Sequence, residues 1–105
     1  LAKRRFVEVG ELFAAGYSIE QLQAQYGVQR STIVGHLYNY QSSGSPVDGQ
    51  RVRALSTLEP EQQEQVLALF DQMGVEALAP IFQTLNGTIS YEELHVMRVI
   101  HLTGS

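Results

Sequence analysis

The feature that most constrains this chain is the stretch SIEQLQAQYGVQRSTIVGHL, residues 18–37. Apolar residues recur on both sides of Gly27 at intervals of three and four, which is the spacing of one face of an α-helix. A glycine adopts a positive φ at little cost, so Gly27 suits a tight turn between two helices. The stretch therefore predicts two short amphipathic helices joined at Gly27, with Val28 and Ile33 packed between them.

Helical spacing extends over the rest of the chain, and no strand-like alternation persists. Capping-box patterns begin at Ser18 and Ser90, and Pro60 fits the first turn of another helix. Pro80 predicts a kink or a fresh helix start, since proline inside a helix costs ~3 kcal/mol. The sequence therefore predicts an all-α protein of about six helices, whose inward residues include Phe6, Val9, Leu12, Phe13, Ile19, Leu22, Tyr26, Ile33, Leu37, Tyr40, Val66, Leu69, Phe70, Met73, Leu94, Met97 and Ile100.

The segment QSSGSPVDGQ, residues 41–50, is rich in Ser, Gly and Pro and marks a boundary. We predict a single helical domain over 1–105 that has two lobes. The N-terminal lobe, with the two helices around Gly27, covers 1–44, a loop covers 45–57, and a C-terminal three-helix lobe covers 58–103. The chain begins at Leu1 in helix-like sequence, so we expect it to be a segment of a longer polypeptide.

Composition excludes several classes of function. The absence of cysteine rules out disulfides, thiolate metal sites and a cysteine nucleophile. His36, His95 and His101 lack zinc-ligand spacing, and the Glu-x-x-His pattern at Glu92 occurs only once. No glycine-rich phosphate loop or nucleophile motif is present. We therefore expect no enzyme activity, no metal, no cofactor and no small-molecule substrate.

Charge is divided unevenly along the chain. The net charge is −4; residues 1–45 carry four Lys and Arg against three Asp and Glu, and residues 46–105 carry three against eight. Contacts with phosphates are therefore expected only from the first lobe. No apolar run approaches the ~18 residues that span a bilayer, and no signal peptide is evident. We expect a cytoplasmic, nucleoid-associated bacterial protein with no membrane contact.

Two helices joined at a glycine turn are typical of the helix-turn-helix, whose second helix enters a DNA major groove. Arg30 has the bidentate fork that reads guanine, and Gln29 can pair with adenine. A generic corner between two helices of a bundle would give the same pattern, and the shortage of cations predicts weak binding. The candidate DNA-binding residues are Gln29, Arg30, Ser31, Val34 and Tyr38 on the outward face, and Lys3, Arg4 and Arg5 at phosphates.

The segments ELFAAGYSIEQLQAQYGVQRSTIVGHLYNY and LSTLEPEQQEQVLALFDQMGVEALAPIFQTLNGTISYEELHVMRVI resemble the helix-turn-helix domain at the C-terminus of RecQ-type DNA helicases and related helicase-associated proteins. The resemblance covers nearly the whole chain. It rests on the patterns L-F-x-x-G-x-S-I-x-x-L, S-T-I-x-x-H-L, L-x-P-I-F and I-S-Y-x-E-L. It implies a non-catalytic accessory domain of an ATP-dependent DNA helicase in DNA repair. The implied partners are duplex or forked DNA and the rest of the helicase chain or a repair protein.

Two alternatives remain open. In the first, the same helices form a protein-interaction module that docks on a helicase or a repair partner. In the second, the chain is the DNA-binding end of a transcription regulator, because GVQRSTIVGHL also looks like the helix-turn-helix of LuxR-type regulators. Gln29 stands where that family usually has a capping Ser, Gln23 where many such motifs have a small Ala, and residues 46–105 have no counterpart there. These differences favour the helicase-associated interpretation.

Overall fold

The computed structural model describes residues 4–104, and helices are the regular secondary structure found in that range. The prediction of an all-α fold is confirmed. Within residues 4–104 there are seven helices rather than about six, and the chain divides into two compact units, Leu1–Asp48 and Gly49–Ser105. The helices are α1 (Arg5–Ala14), α2 (Ile19–Tyr26), α3 (Arg30–Ser42), α4 (Gly49–Arg53), α5 (Pro60–Met73), α6 (Ala79–Thr84) and α7 (Tyr91–Leu102).

The first unit is organised around α3, which packs against both α1 and α2. Helix α1 approaches α3 closely at Gly10, where an added Cβ would overlap the ring of Tyr40. The lack of a side chain at Gly10 therefore sets the spacing of these two helices. The buried apolar residues of this unit are Val9, Phe13, Ile19, Leu22, Ile33, Val34, Leu37 and Val47.

The starts of α2, α5 and α6 follow the predicted local signals. The Ser18 hydroxyl accepts the Gln21 N–H at 3.1 Å, and the Gln21 side chain accepts the Ser18 N–H at 2.8 Å, so the capping box of α2 is complete. Pro60 occupies the first position of α5, where its missing N–H costs no helical hydrogen bond. Pro80 lies in the first turn of α6, so a fresh helix starts there.

The second unit is organised around α7, which packs against α4 and α5, while α6 packs against α5. The predicted stripe of Leu94, Met97 and Ile100 is buried, and Val96 and Val99 are buried with it. A helix with neighbours on more than one side buries a wider face than a simple amphipathic stripe. The helical spacing also predicts that Met73 faces inward, but this last residue of α5 is 45% exposed.

Helix α4 corrects the predicted loop at 45–57. It is only five residues long, so it offers no repeated apolar spacing to recognise, and the Asp48-Gly49 pair at its start is a turn signal. Its one buried residue is Val52. Packing against α7 therefore decides that this segment is helical, since an isolated helix of this length is unstable in water.

The capping box predicted at the start of α7 forms only in part. The Ser90 hydroxyl accepts the Glu93 N–H at 3.3 Å. The Glu93 carboxylate instead accepts hydrogen bonds from the Ser56 hydroxyl at 3.0 Å, the Thr57 N–H at 2.8 Å and the Thr57 hydroxyl at 2.7 Å. Glu93 therefore ties the segment between α4 and α5 to the first turn of α7.

Candidate nucleic-acid interface

The turn between α2 and α3 consists of Gly27, Val28 and Gln29. Gly27 has φ 64° and ψ 39°, the left-handed conformation in which glycine is favoured. Its N–H donates to the Gln23 carbonyl at 2.8 Å, and the Val28 N–H donates to the same carbonyl at 3.2 Å. These bonds close α2 after Tyr26. Three residues thus connect the two helices, the turn length of a helix-turn-helix.

Four of the five residues predicted for the outward side of α3 retain accessible surface. Gln29, the residue before the helix, is exposed, and Arg30, Ser31 and Tyr38 are partly exposed. Val34 is 1% exposed, so the prediction that it faces outward is wrong. Val34 lies next to Ile33 and three residues before Leu37, and this spacing places it on the buried side of the helix.

The most accessible side of α3 includes residues that the sequence interpretation missed. Thr32 and Asn39 are exposed, and Gly35, between them, is partly exposed with nothing within 4 Å of the position a Cβ would take. These residues are three and four positions apart, so they lie on one face. The side opposite Ile33 and Leu37 could have been found from the same helical spacing that predicted the core.

Of the three predicted phosphate contacts, Lys3 lies outside the described residues, and Arg4 and Arg5 are exposed. The Arg5 guanidinium carbon lies 4.3 Å from the centroid of the Tyr26 ring, a cation–π distance. The Tyr26 hydroxyl donates to a Glu8 carboxylate oxygen at 3.1 Å. Burial, together with this hydrogen bond and the negative charge of Glu8, raises the pKa of Tyr26. The cluster holds the first turn of α1 against the end of α2.

His36 is a second residue near Arg5 whose pKa is shifted. It lies on α3 and is partly buried, four residues before Tyr40, whose ring contacts Gly10 of α1. Burial lowers the pKa of His36, and the nearby charge of Arg5 lowers it further. His36 is therefore mainly neutral near pH 7, and Arg5 provides the positive charge beside it.

The other two histidines belong to the second unit. The Arg98 guanidinium lies 3.3 Å from the His95 ring nitrogen Nδ1, and burial followed by this charge lowers the pKa of His95. His101 contacts Asp71 at 2.8 Å between Nε2 and the carboxylate. Over residues 4–104, no three side chains of His, Cys, Asp or Glu gather as a metal site requires. None of the helices found there is both long and apolar enough to cross a membrane.

Comparison with known proteins agrees with this geometry. The family model described as a helix-turn-helix domain matches residues 7–98, which include all the helices from α2 to α6. The search of curated proteins found no match, and the search of solved structures also found none. A helix-turn-helix domain indicates nucleic-acid binding. Because the family model covers most of the sequence, the chain belongs to the helix-turn-helix domain family.

Proposed function

We propose that this chain is a non-catalytic accessory domain that binds duplex DNA with the outward face of α3. Helix α3 directly follows the Gly27 turn, and one side of it is accessible. This observation, made in a member of a helix-turn-helix family, carries the proposal. An α-helix is about 10–12 Å across, and the major groove of B-DNA is about 12 Å wide. The small side chains of Ser31 and Thr32, and the absence of a side chain at Gly35, allow such a helix to lie deep in the groove.

The charge of the first unit supports weak binding. Residues 1–48 carry four Lys and Arg against four Asp and Glu. If every one of those cations contacted a phosphate, the logarithm of the binding constant would fall with the logarithm of salt with a slope no steeper than about −3.6. Weak binding suits a domain attached to another DNA-binding part, because tethering raises its effective concentration at the DNA.

The setting we propose is a RecQ-type DNA helicase or an associated bacterial repair protein. The motif resemblance over nearly the whole chain supports this setting, and the motor that hydrolyses ATP would be a separate part of that protein. Helicase motifs encoded next to this chain would support the setting. A receiver or ligand-sensing domain in that place would instead favour a LuxR-type regulator.

A protein-docking role is the second candidate, and one observation favours it. Glu61, Glu64 and Asp71 are exposed on α5 at spacings of three and seven residues, which places them on one side of the helix. Such a side suits a basic segment of a partner protein. This role would leave α3 without a DNA contact, so the two candidates differ in what they predict for DNA binding.

The test is fluorescence anisotropy of labelled duplex, forked and single-stranded DNA of mixed sequence between about 50 and 200 mM salt. We expect salt-dependent binding to duplex or forked DNA. Arg30→Ala should weaken binding about fivefold or more, the loss expected for one base contact of ~1–3 kcal/mol. Gln65→Ala, at an exposed position of α5, is the control and should bind like the parent.

Two results would count against the proposal. Failure to bind any of the three DNA forms at the lowest salt would contradict DNA binding and favour the protein-docking role. Normal binding by a folded Arg30→Ala variant would show that the position of α3 on the DNA differs from the one proposed. Circular dichroism of each variant confirms that the helices are intact.

A further inference from the structure

Gly35 is a glycine in the interior of α3 that the fold itself does not require. It is the sixth of the thirteen residues of that helix, and its φ is not positive. A Cβ built there meets nothing within 4 Å. Glycine is the poorest helix former after proline, so an alanine would suit the isolated domain better.

Gly10 shows what a structural requirement for glycine looks like in this chain. It also lies inside a helix with ordinary φ, but its Cβ would overlap the Tyr40 ring. The contact that requires a glycine at position 10 is thus a contact within the protein itself. At Gly35, the space that a side chain would fill lies open on the accessible side of α3.

The surroundings of Gly35 identify the kind of partner. Thr32, three residues before it, and Asn39, four residues after it, are exposed, and both carry groups that hydrogen-bond to base edges or phosphates. Membership of the helix-turn-helix family indicates a nucleic acid as the ligand of this unit. A position without a side chain, between two polar residues, allows the backbone of the helix to come close to that ligand.

We infer that duplex DNA contacts α3 at its centre, with the backbone at Gly35 against the DNA and with Thr32 and Asn39 contacting it on either side. This inference rests on the proposed DNA-binding function. It moves the centre of the contact from the start of α3, where Arg30 lies, to the second and third turns. It also assigns contact roles to Thr32 and Asn39.

The experiment compares Gly35→Ala, Gly35→Val and Asn39→Ala with the parent by thermal unfolding and by DNA anisotropy. Gly35→Ala should raise Tm by a few degrees, about 4 °C for a domain of this size. We expect its DNA affinity to fall about tenfold, the effect of one disturbed base pair contact, and that of Gly35→Val to fall further. Asn39→Ala should lose about fivefold in affinity without lowering Tm, since alanine is a better helix former than asparagine.

Gln72→Ala, at an exposed position near the end of α5, is the control for an alanine introduced outside α3 and should leave both Tm and DNA affinity nearly unchanged, since glutamine is already a good helix former. If the parent binds DNA and Gly35→Ala binds it equally well or better, the inference about Gly35 is overturned while the proposed function stands. If the parent binds no DNA, the proposed function fails first and the inference fails with it. Higher stability combined with weaker binding is the result that a purely structural role cannot give.

Discussion

At the scale of single residues, the two helix-interior glycines with known surroundings differ in whether packing requires them. Gly10 permits contact between α1 and the Tyr40 ring, and Gly35 leaves open space on α3. The same substitution, glycine to alanine, should therefore change stability in opposite directions at these two positions. Helix propensity alone would predict a gain of about 1 kcal/mol at both.

Gly10→Ala should reduce the free energy of unfolding by about 1–3 kcal/mol, because the new methyl group forces α1 and the Tyr40 ring apart. Urea unfolding measures the change. Tyr40→Ala gives the control, since removing the ring makes room for the methyl group. In the Tyr40→Ala background, Gly10→Ala should cost much less. Equal or higher stability of the single variant Gly10→Ala would show that the two helices are not held at this spacing.

At the scale of helices, the first turn of α7 contains a carboxylate that hydrogen-bonds to a segment distant in sequence. Glu93 accepts three hydrogen bonds from Ser56 and Thr57. Those residues connect α4 to α5, so the Glu93 side chain links this connection to a third helix, α7. The neighbouring Glu92 is exposed, carries the same charge and also lies in the first turn of α7.

Glu93→Ala should lower the free energy of unfolding by about 1–3 kcal/mol, the range for loss of hydrogen bonds to a charged group. Glu92→Ala is the matched control and should change it by no more than about 0.5 kcal/mol. Chemical denaturation followed by circular dichroism distinguishes the two variants. Similar small effects from both variants would mean that the Glu93 hydrogen bonds stabilise the fold little more than hydrogen bonds to water do in the unfolded chain.

At the scale of the whole molecule, each compact unit contains a histidine that favours the neutral form. His36 belongs to the first unit and His95 to the second, and burial with a nearby arginine lowers both pKa values below the ordinary value of about 6.5. The unfolded chain then binds more protons than the folded chain as the pH falls. Stability contributed by the neutral histidines is present above about pH 6.5 and is lost as the pH falls through the folded-state values.

We expect the free energy of unfolding to decrease between about pH 7.5 and pH 5.5, a range in which ordinary carboxylates stay ionised. His36→Gln and His95→Gln should each reduce this decrease, because glutamine does not titrate. Urea unfolding at both pH values measures the difference. An unchanged pH dependence in the double variant would assign the effect to other groups.

Prediction from sequence succeeded where a short segment decides its own conformation. The turn at Gly27 and the helix starts at Ser18, Pro60 and Pro80 all depend on bonding or backbone freedom within about four residues. It failed at α4 and Val34. A five-residue helix depends on packing against α7, and the exposure of Val34 depends on how the whole unit surrounds α3.

The sequence by itself determined that this protein is all-α and that two helices meet at a left-handed glycine, because helical spacing and glycine conformation are local properties. Only the tertiary structure decided which side of α3 stays accessible and that the Glu93 carboxylate binds Ser56 and Thr57 rather than capping its own helix. It also decided that Gly10 is required by packing while Gly35 is not. These outcomes depend on side chains that are distant in sequence and adjacent in space.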